Sequence, residues 1–327
     1  MIAADSDSPQ SLPISPARSK LALMEPDENE TATLLALLEA RPARMTWHDV
    51  ATEVSVRGTA TAIWDEFYPP MLDGRNDRDG LIRAAMDNLA EWRERGYTLL
   101  TVLDRRYPTK LRTIHQTPPF LFVSGELDPR MHAVSVVGSR DASQRGIDMA
   151  TRIAEGLAER QITVLSGLAA GIDTAAHTAT LRAGGTPVGV IGTGIDQCYP
   201  AANRTLHGEV SAKGAVVSQF WPGSPPRKYN FPMRNATMSG LGIASIVVEA
   251  GEHSGARIQA RVAVEHGRPI ILSDMVVRTT NWAKDLLGRP GVFEAGGTAE
   301  VMTLVEGFIN EERGGSTPPT LREFALL

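Results

Sequence analysis

Six short apolar runs, each separated from the next by a longer stretch, constrain this chain more than any other feature. They are AVSVV (133–137), ITVLS (162–166), PVGVI (187–191), AVVSQF (215–220), ASIVVEA (244–250) and PIILS (269–273). Each is rich in β-branched residues and nearly free of polar ones, as strands are when both faces of a parallel sheet are covered. Between them, RGIDMATRIAEGLAER, GIDTAAHTATLRAG and GARIQARVAVEHG carry apolar residues at helical intervals. Strand and helix in alternation predict an α/β fold, a doubly wound and mostly parallel sheet over residues 96–310.

Residues 26–95 follow a different grammar and predict a small helical N-terminal domain. DENETATLLALLEA starts on acids, TWHDVATEV offers a Thr and a downstream Asp as caps, and DGLIRAAMDNLAEWRERG ends on Gly96 after basic residues. The first twenty residues are polar, with no apolar core, so residues 1–25 read as a disordered leader rather than a signal peptide. Residues 311–327 read as a flexible tail. No apolar run approaches the roughly 18 residues that a membrane span needs, so a soluble protein with no membrane partner is expected. The single cysteine, Cys198, excludes an intramolecular disulfide and a cysteine-rich zinc site, which suits a cytoplasmic protein.

Open parallel sheets bind ligands beyond the carboxyl ends of their strands. Four strand ends are marked here. VVGSRDASQRG supplies Gly138, Ser139 and the guanidinium fork of Arg140; SGLAAGID supplies Ser166, Gly167 and Gly171; GTGIDQCYP supplies Gly192 and Gly194. The fourth, PGSPPRKYNFPMRN (222–235), holds four prolines and a glycine, which predict a loop and not a helix. The chain as a whole carries a formal charge of −5, yet no carboxylate lies between Glu209 and Glu249. Lys213, Arg227, Lys228 and Arg234 fall in that gap, interleaved with Phe220, Trp221, Tyr229 and Phe231. Cations that follow a backbone and rings that stack on bases are the composition of a single-stranded nucleic-acid groove. The alternative is a solvated basic face, with some rings, Phe220 first, belonging to the core.

Catalytic constellations are weaker. Asp173 and His177 share a helical face, but a helix-start carboxylate and a partly buried histidine explain them without a metal. Glu249, at a strand end, is explained as a carboxylate that holds neighbouring loop N–H groups. No metal, cofactor or catalytic residue is expected.

VSVVGSR, VLSGLAAGIDTAAH, VIGTGIDQCYPAANRTL, NFPMRN and IVVEAGEHSGARIQARVAVEHGRPI, in this order and led in by YPTKLRTIHQTPPFLFVSGEL, resemble the DprA/Smf family of bacterial DNA-processing proteins. The resemblance covers about residues 100–275. It implies an extended Rossmann domain that is not an enzyme. It also implies that the domain binds single-stranded DNA, forms a homodimer, and loads the RecA recombinase during transformation or recombination. The implied DNA contacts are Arg140, Lys228 and Phe231, with Asn230, Arg234 and Asn235 on the same motif and the glycine turns offering backbone N–H groups to phosphates. The helical segment before residue 95 takes the place of the family's SAM-like domain. Ala170 departs from the family pattern, which has a basic or polar residue there, and the tail leaves no winged-helix domain. A second reading is a nucleotide sensor or a phosphoribohydrolase of the LOG-related superfamily, which shares the sheet edge; EAGGTAEVM (294–302) resembles its site faintly. A third is an interaction scaffold whose DNA pocket has decayed.

Overall fold

The computed structural model describes residues 27–42, 45–69 and 78–314. The leader, and the tail beyond residue 314, lie outside the described residues.

Four helices come first: α1 (Glu28–Ala40), α2 (Trp47–Arg57), α3 (Thr61–Phe67) and α4 (Arg78–Glu94). The capping box at α2 forms as its residue types predict. Thr46 accepts from the Asp49 N–H, and the Asp49 carboxylate accepts from the Thr46 N–H at 2.7 Å. Gly96 ends the last of these helices with φ +77°, a conformation that costs glycine nothing.

The sheet follows. Its strands and helices, in chain order, are β1 (Thr98–Thr101), β2 (Phe120–Gly125), β3 (Ala133–Val137), α5 (Gln144–Glu159), β4 (Thr163–Ser166), α6 (Ile172–Arg182) and β5 (Pro187–Val190). Next come α7 (Arg204–Lys213), β6 (Ala215–Ser218), α8 (Asn230–Leu241), β7 (Ala244–Val247), α9 (Gly255–Glu265) and β8 (Ile270–Ser273). The described chain closes with α10 (Asp274–Thr279), α11 (Asn281–Leu287), β9 (Val292–Ala295) and α12 (Thr298–Glu312). Strand order is β1-β2-β6-β5-β4-β3-β7-β8-β9. Every pairing from β6 to β9 is parallel, and β1 and β2 join antiparallel beside β6. The order reverses between β3 and β7, so the crevice of this sheet lies at the carboxyl ends of those two strands.

Alternation along β3 shows how the layers form. Val134 and Val136 enter the core under α5, α6 and α12, while Ala133 and Val137 enter the opposite core. That second core is continuous with the apolar residues of α1 to α4. Trp221 makes the join: its ring lies 4.4 Å from Phe120, 5.7 Å from Trp47 and 5.8 Å from Trp92.

Four expectations need correction. β1, β2 and β9 were not among the six runs; β1 and β9 are flanking strands with mixed exposure, so they lack the uninterrupted apolar signature. Helix α8 starts inside the proline-rich segment, because Pro232 is its third residue, where a helix has no use for the missing N–H. Trp221 is half-buried and packs against the core rather than standing in an exposed aromatic row. Helix α12 runs to Glu312, past the expected start of the tail.

Candidate nucleic-acid interface

The carboxyl ends of β3, β4 and β5 converge with the first turn of α8 around two connected hollows. The larger, about 720 Å³, is lined by Gly138, Ser139, Arg140, Phe231, Arg234 and Asn235 among others. The smaller, about 140 Å³, is lined by Arg140, Gly167, Gly192, Tyr199, Phe231 and Arg234 among others. Of the sequence candidates, Ser166, Gly171, Gly194, Lys228 and Asn230 line neither hollow.

Arg140 is exposed, and its guanidinium carbon lies 5.4 Å from the centre of the half-buried Phe231 ring, a cation–π distance. Tyr199, 45% exposed, has its ring centre 6.0 Å from that of Phe231, the two rings tilted by 48°. Sequence reasoning missed Tyr199, whose only signal was an aromatic in the same β–α loop as Gly192 and Gly194. A little further out, Arg227 donates to the Tyr229 hydroxyl at 2.7 Å, and Lys228 is exposed beside them. Cations and aromatic rings thus pair along the surface, Arg227 with Tyr229 near the loop tip and Arg140 with Phe231 at the hollow.

Beneath this surface lies a layer of buried polar groups. Arg234 is buried and donates to the Val190 carbonyl at 2.7 Å; Asn230 donates to the Gly192 carbonyl at 2.9 Å. Both brace the end of β5, and Ser166 likewise donates inward, to Val136. The Asp173 carboxylate accepts from the Gly167 N–H at 3.0 Å and the Ala169 N–H at 3.3 Å. Asn203 donates to the Leu168 carbonyl at 2.9 Å. Together these hold Leu168 at φ +54°, a conformation that costs a bulky residue on the order of 1–3 kcal/mol. Burial pushes the Asp173 carboxyl up and the Arg234 guanidinium down, and each charge draws the other back.

One expectation about these turns changes, and one about α6. The N–H groups of Ser139, Gly167 and Gly194 are not available to a ligand, since they bond to Glu249, Asp173 and Ser224. The N–H groups of Arg140, Ala170, Gly192 and Thr193 have no protein acceptor among the described residues. His177 is fully buried, not partly, and neither ring nitrogen has a partner, so burial takes it down to about 4. Glu249 accepts from the Ser143 N–H and hydroxyl, the loop-holding role its position suggested. No group of acidic, histidine or cysteine side chains among the described residues is arranged to hold a metal.

The model of the family described as DNA recombination-mediator protein A matches residues 98–300, more than half of the chain. The chain belongs to that family. It is 42% identical over 171 residues to the DNA processing protein DprA of Streptococcus pneumoniae, covering 52% of this chain and 60% of that one. It is 38% identical over 192 residues to Protein Smf of Escherichia coli, covering 58% and 51%. The matched region therefore spans about half of the length of these relatives. Among solved structures, the Streptococcus pneumoniae DprA structure aligns with TM-score 0.64 and 29% identity over 85% of this chain and 98% of that one. A structure of DNA processing protein A from Helicobacter pylori, whose subject is its binding of single-stranded DNA, shares the fold with TM-score 0.58 and 20% identity, over 64% and 95%.

Proposed function

We propose that this chain binds single-stranded DNA along the groove from Lys228 to Arg140. The carrying observation is the exposed Arg140 guanidinium against Phe231, with the Tyr199 ring close by, at the carboxyl edge of the parallel sheet. A cation and two partly exposed rings clustered together suit a flexible strand whose bases are unpaired. Duplex DNA hides its base faces and gains nothing from the rings. The Helicobacter pylori relative's single-strand binding supports the same reading.

Arg140, Lys228, Phe231 and Tyr199 are the direct contacts in this reading, with Gly138 and Ser139 beside them. Arg234, Asn230 and Ser166 act as braces behind the turns of Gly167 and Gly192, Asn235 donates to the Gly255 carbonyl at 3.4 Å, and Gly171 and Gly194 shape the neighbouring turns. The family's description as a recombination mediator supports a finer step, in which the bound strand is handed to a RecA recombinase by a homodimer. No chemistry on the DNA is part of the proposal.

Fluorescence anisotropy of labelled oligo-dT against a matched duplex tests it. Arg140→Ala and Phe231→Ala should each weaken single-strand binding by about tenfold or more, the size of one lost stacking or charged contact. Their melting temperatures should stay close to wild type. Equal binding by wild type and both variants would remove the groove from the account.

A further inference from the structure

Half of the larger hollow is not used by the stacking groove. It lies at the strand-order reversal between β3 and β7, and its far wall is the loop from Gly251 to Ser254 with the first turn of α9. Three features of this wall have no explanation in the fold itself.

The first is Gln259, 1% exposed. Its Nε2 donates to Ser245 Oγ at 3.2 Å, and its Oε1 is buried without a partner. Since a serine hydroxyl both donates and accepts, turning the carboxamide over strands the other polar atom instead. A buried amide edge left unpaired is costly, and proteins rarely keep one without a use.

The second is a pair of glycines. Gly251 and Gly255 have no positive φ, and a Cβ on either would meet no protein atom within 4 Å. Neither turn geometry nor internal packing calls for glycine at these positions, whereas the close approach of a ligand does. The third is the Gly255 N–H. It opens an eleven-residue helix and has no protein acceptor, which makes it a point for an anion. Glu252, the carboxylate on this wall, is turned to another task, accepting from the Asn281 N–H at 3.1 Å.

We infer that this half of the hollow takes one nucleotide of the bound strand, its phosphate at the Gly255 N–H and its base edge against Gln259. The inference rests on the single-strand reading above. Continuity favours a nucleotide within a strand over a free one: Ala169, Arg140, Phe231 and Arg234 line both hollows, so a strand stacked on Phe231 runs into this space. A hollow of about 720 Å³ has room for it, being within the few hundred to 1,000 Å³ typical of ligand sites.

Gly255→Ala fills the cradle while leaving the free protein undisturbed, because the new methyl meets open space at a helical position. The experiment measures binding of a short oligonucleotide carrying one abasic site at successive positions, to wild type and to this variant. In wild type, one abasic position beyond the stacked bases should weaken binding about tenfold, the share expected of one enclosed base. In Gly255→Ala, the intact oligonucleotide should bind about tenfold more weakly and that abasic position should cost nothing further. A variant with wild-type affinity and an unchanged abasic profile would overturn the inference while leaving the groove standing. Wild type without single-strand binding would overturn both. Titration of free dAMP separates the sources: dAMP bound by wild type and lost in the variant, with no sensitive abasic position, would reassign the site to a free nucleotide and overturn the strand.

Discussion

At the scale of single residues, the candidate interface is a thin functional surface over a costly polar foundation. His177 illustrates the foundation. Its ring is fully buried, and burial, with Arg234 and His207 nearby, lowers its titration from the ordinary 6.5 to about 4. The unfolded chain therefore takes up a proton that the folded chain refuses. A depressed folded value means that the contribution is whole above pH 6.5 and is lost as pH falls toward 4. For His177 the loss is on the order of 3 kcal/mol. His266, half-buried and also lowered to about 4, acts in the same direction. Denaturant melts from pH 7 to pH 4 should show stability falling through this window, with a shallower slope in His177→Leu. The sequence placed the imidazole on the right helix face; its depth depended on how tightly α6 meets its neighbours, which residue type alone does not encode.

At the scale of elements, the turn between β4 and α6 is where sequence and structure agree on position and differ on mechanism. Glycines at both of its ends were legible as a ligand-facing turn, but the reason for Gly167 is internal. A Cβ there would overlap the Arg234 guanidinium, which occupies the space beneath. Gly167→Ala should therefore displace Arg234 from the Val190 carbonyl and lower stability by about 2–3 kcal/mol or more, as broken buried networks do, with single-strand binding falling alongside. Calorimetry of this variant beside Gly255→Ala checks the contrast, since the second should melt like wild type. The sheet divides in a similar way. The six central strands announced themselves because both faces are covered, whereas β1 and β9 blend polar and apolar residues and were silent. Helix α8 was hidden by its own proline, whose effect depends on position within a helix and not on presence. Asn203 and Tyr199, distant in sequence from the turn and from Phe231, could be joined to them only by the fold.

At the scale of the whole molecule, charge is distributed with a purpose that the net value conceals. The formal −5 repels polyanions in general, while in the carboxylate-free stretch Arg227 and Lys228 stand exposed on one loop with no acid beside them. Affinity for a single strand should fall linearly with the logarithm of salt, each neutralised phosphate contributing about 0.7 to the slope. Lys228→Ala should reduce that slope by about 0.7 and leave abasic profiles unchanged, which separates its backbone contact from the base contacts of Phe231. An unchanged slope would take Lys228 off the strand.

The aromatic cluster that joins the helices to the sheet has a further consequence. Three of the five tryptophans, Trp47, Trp92 and Trp221, stand ring to ring, and Trp221 immediately precedes the basic segment. Indole rings at these separations exchange excitation energy, so the three should emit as one unit, and Trp221 would carry any shift of the adjoining segment into that emission. The expected outcome is an optical gauge built into the fold: if a strand engages the basic segment, the ultraviolet emission of this cluster should change with no dye attached.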